Sequence, residues 1–414
     1  MNQQPNWVEA WGMSHMRLSL MSFAPGRRTL RLVLNSAISG QRARIRLCNK
    51  YAGGAVTVGR ASVALCDGDG AVVGGGSPAR VTFRGREGLT LGPGETAVSD
   101  DVALAVPAGA DICVSLYIEK GRLQSGNCLD NARLLCARGD RCGDLAFRHE
   151  KRLRDSVISL AGKLLGMALH SPIPLFQAVE LLNGDGASSI ECFGDSLTQQ
   201  GFWSNVFEEK IRRLYPGRYS VINKAIAGNR ILRDTSPRFP LPGFFGVRAL
   251  ERVRDDILAY EGISHVIFCL GTNDYLQPGT IAGRRSEWAS AEEIAAGAMA
   301  LVGMLRARKE IAVVGLNFVP VGLARDATPE KNALRARLNE WFETCGAFDA
   351  SFDVSTPFAS PGNPDLPVAS YVGKDRTHPN GEGGRAIAHA IDYAVFGRNP
   401  LNSANQPHQG GDYP

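Results

Sequence analysis

The N-terminal third of the chain alternates apolar and polar positions with a period of two residues. The clearest runs cover residues 29–34, 43–48 and 111–118. Stretches rich in glycine, asparagine and aspartate, such as 49–54 and 66–70, separate these runs, as turns between strands do. Short strands with frequent turns are typical of a sandwich or a jelly roll. The pattern therefore predicts an all-β sandwich or jelly-roll domain over residues 1–118.

Beyond residue 175 the pattern changes, because continuous apolar runs alternate with segments of helical periodicity. The predicted strands cover residues 188–193, 219–225, 265–270 and 311–318, and the predicted helices cover 202–214, 248–260, 291–306, 331–345 and 381–396. Strands that alternate with helices favour a mainly parallel sheet with helices on both of its faces. The sequence thus predicts an α/β domain over residues 175–397, whose ligands bind beyond the carboxyl ends of the strands.

Between these two regions, residues 119–174 are predicted to be a connecting region. It contains an amphipathic segment over 155–169 that predicts a helix, and the prolines that follow at 172 and 174 end it. Residues 398–414 are polar and are expected to form a flexible tail. A chain of 414 residues is too long for one ordinary core, which agrees with two domains.

Composition changes this picture little, but it excludes several classes of protein. The net charge of +5 is spread along the chain, which argues against nucleic acid as a partner. Residues 1–12 contain no apolar core of a secretion signal, and the apolar segment 157–169 is too short to span a bilayer. Nine cysteines are an odd number and scatter through the predicted strands as buried thiols. We therefore expect a cytoplasmic protein without membrane contact.

Three of these cysteines, Cys128, Cys136 and Cys142, lie closer together than the others. A zinc or redox role for them stays open. The chain contains no CxxC pair, however, so the signal for such a site is weak.

Ser196 is the first candidate for chemistry, because it lies in a tight turn between a predicted strand and a predicted helix. Gly194 and Asp195 interrupt the apolar run 190–193, and helical periodicity follows at 202–214. A serine at this position exposes its hydroxyl, and its own N–H lies at a helix start where no intrahelical acceptor is available. Such a site suits a nucleophile whose intermediate carries a negative oxygen.

A serine hydroxyl needs a base, and the base needs a group that orients it. Of the seven histidines, only His378 lies in a turn-rich stretch three residues after an aspartate, Asp375. This spacing brings the two side chains within reach of each other. Asp375 could then hold the imidazole Nδ1–H while Nε2 faces Ser196.

Donors for an oxyanion come from two further loops that follow predicted strands. Gly228 offers a backbone N–H without a Cβ in the way, and Asn273 offers a side-chain amide. With the N–H of Ser196 they would form a site of three donors. Asn229, Arg230 and Tyr275 lie beside these residues and are candidates for contact with a polar substrate, or are structural.

Taken together, the segments 194–197, Gly228, 271–274 and 375–379 resemble the four sequence blocks of the SGNH superfamily of GDSL-type esterases and lipases. The resemblance covers about residues 175–397. It implies a three-layer α/β/α, flavodoxin-like fold without a metal or an organic cofactor. It also implies that Ser196 is the nucleophile and an oxyanion donor, that Gly228 and Asn273 complete the oxyanion hole, and that Asp375 and His378 complete the triad.

The N-terminal region resembles the β-sandwich that precedes the hydrolase domain in some bacterial carbohydrate esterases. Residues 29–34, 44–49 and 99–100 carry this likeness. In one place the chain departs from the superfamily: many members have an Asp-Gly pair after the serine, whereas this chain has Gln199-Gln200-Gly201.

These observations predict a serine esterase that hydrolyses short acyl esters, acetyl groups on carbohydrate in the first place, through an acyl-enzyme. The substrate would be a small-molecule or oligosaccharide ester, and homo-oligomers stay open. Two alternatives use the same residues: acyl transfer to another acceptor, and a lipase or thioesterase with longer acyl chains. A third is a non-catalytic carbohydrate-binding protein.

Overall fold

The computed structural model describes residues 5–150, 170–308 and 310–397. The helix predicted over 155–169 and the tail predicted over 398–414 lie outside the described residues.

Two antiparallel sheets form the N-terminal region. In the five-stranded sheet, Asn6–Gly12, Phe176–Asn183, Gly40–Cys48 and Thr96–Val98 lie side by side, and Val102–Val106 also pairs with Gly40–Cys48. In the six-stranded sheet the order is Arg133–Arg138, Arg28–Asn35, Asp111–Lys120, Val56–Cys66 and Ala79–Val81, with Leu89–Leu91 also pairing with Val56–Cys66. The predicted all-β N-terminal region is confirmed.

The apolar positions of the period-two pattern form the core between these sheets. In Asp111–Lys120, the side chains of Ile112, Val114, Leu116 and Ile118 all enter one hydrophobic cluster with residues of the five-stranded sheet such as Ile45. Successive side chains of a strand point to opposite faces. Cys113 accordingly lies in a second, smaller cluster that includes Phe147.

The strands of the N-terminal sheets extend beyond the region that the sequence predicts for them. Arg133–Arg138 joins the six-stranded sheet, although it falls in the predicted connecting region. Phe176–Asn183 lies after the predicted boundary at 174, yet it pairs with Gly40–Cys48 and with Asn6–Gly12. This strand is buried along nearly all its length, as the strand Ser188–Gly194 of the parallel sheet is, so its burial does not indicate which sheet it joins.

The C-terminal region contains a five-stranded parallel sheet, in the order Tyr219–Asn223, Ser188–Gly194, Ile263–Cys269, Ala312–Leu316 and Ala350–Phe352. The α-helices are Ser196–Gln199, Ser204–Leu214, Ala249–Val253, Thr272–Leu276, Ala291–Arg306, Pro329–Thr344, Ser355–Phe358 and Gly381–His389. A π-helical turn, Arg254–Leu258, continues Ala249–Val253. The last predicted helix ends early, at His389, and a 3₁₀ turn follows at Tyr393–Gly397.

Helices cover both faces of this sheet, which confirms the predicted α/β fold. On one face, Val266 and Phe268 pack in a cluster with Ile294 and Leu301 of Ala291–Arg306. On the other face, Ile267 packs in a cluster with Phe207 and Ile387 from two other helices. The alternation along a single strand thus produces three layers.

Short strands complete the structure. Ser125–Asn127 lies between Ile173–Pro174 and Met16–Arg17, and Ala359–Ser360 pairs with Asn363–Pro367. Among the described residues, no helix combines the length and the hydropathy that crossing a lipid bilayer requires.

Candidate active site

Ser196 lies at the carboxyl end of the strand Ser188–Gly194, which has neighbours on both sides in the parallel sheet. Asp195 caps the short helix that follows, because its Oδ1 accepts a hydrogen bond of 3.0 Å from the N–H of Leu197. Gly194 permits the tight turn, since a Cβ there would lie 2.3 Å from Thr198 Oγ1. Ser196 therefore begins the helix, where its N–H has no acceptor within the helix, and 9% of it is exposed.

His378 and Asp375 lie within hydrogen-bond distance of the serine and of each other. His378 Nε2 is 2.8 Å from Ser196 Oγ, and His378 Nδ1 is 2.7 Å from Asp375 Oδ2. A carboxylate only accepts, so Nδ1 carries the proton in this arrangement and Nε2 accepts from the serine hydroxyl. The spacing of three residues thus leads to the contact that the sequence predicts.

The Asp375 carboxylate is held in its charged form. Burial by itself would raise its pKa, but the hydrogen bond and the charge of His378 and the N–H groups of Thr377 and His378 outweigh burial. Their net effect lowers the pKa of Asp375 to about 2. The two N–H groups lie 3.0 Å and 3.1 Å from Asp375 Oδ1. Asp375 is therefore ionised at neutral pH and accepts the hydrogen bond of the imidazole.

Gly228 and Asn273, the two predicted oxyanion donors, are linked to the turn of the serine. Asn273 Nδ2 donates to Asp195 Oδ2 at 3.1 Å and to the carbonyl of Asn229 at 3.2 Å. Gln277 Nε2 donates to the carbonyl of Gly228 at 2.7 Å and to Asn273 Oδ1 at 3.2 Å. An oxyanion that binds Asn273 would replace one of its two acceptors.

Gly228 has a left-handed backbone, with φ of 71°. A Cβ at this position would lie 2.2 Å from Cδ1 of Phe245, so the ring of Phe245 packs directly on the glycine. Both observations require glycine here. Burial raises the pKa of Asp195, which accepts from Asn273, to about 7, although the N–H of Leu197 acts in the opposite direction.

The three predicted substrate contacts, Asn229, Arg230 and Tyr275, are buried and engaged within the protein. Asn229 Nδ2 donates to the carbonyls of Phe245 and Val247 at 2.9 Å and 2.8 Å. Arg230 Nη1 pairs with Glu287 Oε2 at 2.7 Å. Tyr275 is fully buried in the hydrophobic cluster, with its ring centroid 6.3 Å from that of Phe318. These contacts support the structural alternative for all three.

Arg252, which the sequence does not single out, is buried beneath the candidate site and donates hydrogen bonds to several of its segments. Its Nε donates to Asn229 Oδ1 at 2.8 Å, and its Nη2 donates to the carbonyl of Gly194 at 3.0 Å. Its Nη1 donates to Ser14 Oγ at 3.0 Å, to the carbonyl of Lys224 and to Asp256. One guanidinium therefore joins the strand before Ser196, the residue after Gly228 and the N-terminal region.

The N-terminal region makes a second contact next to the serine. Gln199 Nε2 donates to Asn127 Oδ1 at 2.5 Å, and Asn127 Nδ2 donates to the carbonyls of Ser14 and Ala225, both at 2.9 Å. Gln199 belongs to the segment in which the chain departs from the Asp-Gly pair of the superfamily. In this chain, the side chain at that position binds the N-terminal region.

Buried charges also cross between the two regions. Lys224 Nζ and Glu9 Oε1 are 2.7 Å apart, and both side chains are fully buried. Nothing in the sequence around Lys224 identifies this partner, which lies 215 residues away.

Among the described residues, the three clustered cysteines do not come together as a group of metal ligands. Cys142 Sγ is 3.5 Å from the carbonyl of Arg60, and Cys128 Sγ is 3.5 Å from Met21 Sδ. Within residues 5–150, 170–308 and 310–397, no group of three or more His, Cys, Asp or Glu side chains could hold a metal ion.

Residues 192–386, just under half of the chain, match the GDSL-like Lipase/Acylhydrolase family. A comparison with curated proteins gave no match. Similar solved structures include an acylhydrolase from Bacteroides fragilis, with 20% identity over 51% of this chain and 87% of that chain and a TM-score of 0.37. An acetyl xylan esterase from Geobacillus stearothermophilus has 17% identity over 50% and 93%, with a TM-score of 0.37.

A carbohydrate acetylesterase from Sinorhizobium meliloti has 19% identity over 51% of this chain and 99% of that chain, with a TM-score of 0.35. The match to the family model spans the serine turn, both donor loops and the Asp375–His378 turn. The chain therefore carries a GDSL-like lipase/acylhydrolase domain over residues 192–386, and the protein is a carboxylic ester hydrolase.

Proposed function

We propose that the protein is a serine esterase that hydrolyses short-chain acyl esters of carbohydrates through an acyl-enzyme. The observation that supports this proposal most is the continuous hydrogen-bonded series Asp375–His378–Ser196, with distances of 2.7 Å and 2.8 Å. A serine hydroxyl is a weak nucleophile at neutral pH unless a base accepts its proton. The series supplies that base and the carboxylate that orients it.

In the first step, Ser196 Oγ attacks the ester carbon while its proton passes to His378 Nε2. The ester carbonyl becomes an oxyanion, and Asp375 stabilises the imidazolium that has formed. When the carbon–oxygen bond to the alcohol breaks, His378 returns the proton to the departing alcohol oxygen. The products of this step are the free alcohol and an acyl group on Ser196 Oγ.

In the second step, water attacks the acyl-enzyme, and His378 accepts a proton from the water. The carbon–oxygen bond to Ser196 then breaks, His378 returns the proton to Ser196 Oγ, and the carboxylic acid leaves. In both steps the oxyanion would bind the N–H of Ser196, the N–H of Gly228 and the amide of Asn273. Backbone donors that are already oriented, here the N–H groups of Ser196 and Gly228, stabilise a developing negative charge without reorganisation, whereas the Asn273 amide would exchange one of its present acceptors for the oxyanion.

The polarity around His378 favours a polar alcohol. The alcohol oxygen must lie next to His378 Nε2 to receive the proton. The turn of His378 carries the exposed side chains of Lys374 and Arg376. Both are hydrogen-bond donors that suit the hydroxyl groups of a sugar, and acyl esters of oligosaccharides are therefore the first substrates to test.

Replacement of the serine tests this proposal. Ser196→Ala should lower kcat for p-nitrophenyl acetate by about 10⁶-fold, because the residues of such a triad act as a unit. The variant should also lose labelling by a fluorophosphonate probe, which requires an activated serine. Ser204→Ala is the matched control. Ser204 lies eight positions further along the chain, is also buried, and donates through its Oγ to the carbonyl of Thr198. Near wild-type turnover by a folded Ser196→Ala protein would refute the proposal.

A further inference from the structure

Three phenylalanines cluster in the loop that runs from residue 235 to residue 247, here called the phenylalanine loop. The ring centroids of Phe239 and Phe245 are 4.4 Å apart at an interplanar angle of 33°, and those of Phe244 and Phe245 are 5.5 Å apart. All three residues are half-buried. Part of each residue therefore faces solvent, which is unusual for three neighbouring rings that serve only as core.

Hydrogen bonds hold the phenylalanine loop in one conformation. The N–H of Phe245 donates to Thr235 Oγ1 at 2.9 Å, and Thr235 Oγ1 donates to the carbonyl of Gly246 at 3.1 Å. Asn229 binds the carbonyls of Phe245 and Val247. From the N-terminal region, the N–H of Arg17 donates to the carbonyl of Gly243 at 3.3 Å. A surface that is already ordered loses little entropy when it binds a ligand.

The cluster adjoins the proposed oxyanion site. The ring of Phe245 packs on Gly228, where a Cβ would lie 2.2 Å from Cδ1. Gly228 is joined to the site through Gln277, which binds both its carbonyl and Asn273. The apolar rings thus flank one side of the candidate site, whereas the exposed Lys374 and Arg376 flank the turn of His378.

The geometry of the tetrahedral intermediate indicates which part of the ester meets each side. The reacting carbon carries four groups: Ser196 Oγ, the oxyanion, the alcohol oxygen and the acyl substituent. The alcohol oxygen must stay near His378 Nε2, which protonates it, and the oxyanion must face the donors. The acyl substituent therefore takes the remaining direction, away from His378 and beside the donors rather than onto them, so a chain longer than acetyl is needed to reach the ring packed on Gly228.

We propose that Phe239, Phe244 and Phe245 form an acyl-binding surface. The enzyme then prefers esters with acyl chains of four to six carbons, from butanoyl up to hexanoyl, over acetyl esters. This inference rests on the proposed function and assigns the acyl class of the same site. An apolar acyl chain would lie against the rings and leave water, whereas an acetyl methyl group would cover little of them. One added methylene in an apolar pocket changes selectivity by about 10-fold or more.

A series of p-nitrophenyl esters tests the acyl surface, because the alcohol part is constant and only the acyl chain varies. We expect kcat/KM for the butanoate to exceed that for the acetate by about 10-fold in the wild type. In Phe239→Ala and Phe244→Ala this ratio should fall towards one, while Phe239→Leu should retain most of it. Phe352→Ala is the matched control, because Phe352 is half-buried on the strand Ala350–Phe352 at the edge of the parallel sheet; its ratio should equal that of the wild type.

Each outcome decides the inference separately from the proposed function. If the wild type hydrolyses the esters and labels with fluorophosphonate but turns over acetate best, the acyl surface is refuted and the serine esterase stands. If the phenylalanine variants lower kcat/KM for all chain lengths by one common factor, the rings contact the alcohol part and the inference is equally wrong. If the wild type neither labels nor hydrolyses any ester, the proposed function itself fails.

Discussion

The two sides of Ser196 are built in different ways. On one side, Gly228 lies on a loop and Asn273 on the short helix Thr272–Leu276. Buried hydrogen bonds join both to the serine turn, and several of these bonds involve Arg252 and the N-terminal region. On the other side, His378 and Asp375 retain 17% and 20% side-chain exposure. Their turn is closed by bonds within itself, such as the N–H of Gly373 to the carbonyl of His378 at 2.9 Å.

This difference shows which interactions determine the geometry of each side of Ser196. The histidine side depends on a local turn, so a short sequence motif is sufficient to build it. The donor side depends on side chains from distant parts of the chain, and a change in any of these should move the donors. Changes on the histidine side should therefore act on chemistry, whereas changes on the donor side should act on chemistry and stability together.

The largest effect is expected on the histidine side. Asp375→Asn should lower kcat/KM for p-nitrophenyl acetate by about 10⁴-fold, because an amide that donates to Nδ1 selects the wrong imidazole tautomer. The thermal unfolding midpoint should change little, since the turn is partly exposed. Asp365→Asn is the control, because Asp365 pairs with Arg335 rather than with a histidine. A decrease in kcat/KM of less than tenfold would mean that Asp375 does not orient His378.

On the donor side, Gly228→Ala should lower kcat by about 10²–10³-fold, the usual effect of losing one oxyanion donor. The new Cβ would collide with Phe245 at 2.2 Å and displace the loop. Gly109→Ala is the matched control, because its φ is 86° and a Cβ there has no atom within 4 Å. If both variants lost activity equally, the position of the Gly228 N–H would be irrelevant to the reaction.

Arg252→Met should affect both activity and stability. It leaves Asp256 and several carbonyls without their donor, which typically costs about 3–5 kcal/mol when one partner of a buried pair is removed. A shift of the Gly194 and Asn229 backbone by about 1 Å should lower kcat by about 10²-fold. Urea unfolding and kinetics on the folded fraction measure the two effects.

Arg335→Met provides the comparison for Arg252, because Arg335 is equally buried and binds Ser355 and Asp365. We expect it to destabilise the fold while kcat per folded molecule stays near that of the wild type. Equal losses of kcat in the two variants would show that the donor side has no special dependence on Arg252.

The smallest expected effect is a loss of folding stability at acidic pH. Burial lowers the pKa of His15 to about 4, against the effect of its bond to the carbonyl of Phe176. In the unfolded chain the value is about 6.5, so the unfolded state binds more protons between these values. The stability that neutral His15 provides is complete above pH 6.5 and is lost as pH falls towards 4, by up to about 3 kcal/mol.

Urea unfolding at pH 7 and at pH 4.5 measures this dependence. The decrease in the free energy of unfolding from pH 7 to pH 4.5 should be smaller in His15→Gln than in the wild type. His389→Gln is the control, because His389 is exposed on the last helix. This control variant should show the same decrease as the wild type. The histidine side should contribute little over this range, because Asp375 stays ionised down to about pH 2.

The sequence by itself was sufficient for the fold class, and it predicted five site residues. Hydrophobic periodicity is a local property that determines whether a segment buries one face or two, and it predicted both regions. Ser196, Gly228, Asn273, Asp375 and His378 each follow a predicted strand or lie in a turn, and the carboxyl ends of parallel strands meet at one edge. Their catalytic roles stay predictions until the variants are measured.

Only the tertiary structure decided which residues support that site. Ser14 and Arg252 are 238 residues apart in sequence, and no local pattern distinguishes a buried arginine that joins three loops from one on a solvated helix face. The same is true of the strand Phe176–Asn183, whose apolar side chains suit either sheet, and of the ring of Phe245 that packs on Gly228. Partner choice between buried groups depends on the folded geometry, because the energy of a buried contact arises only when both groups leave water together.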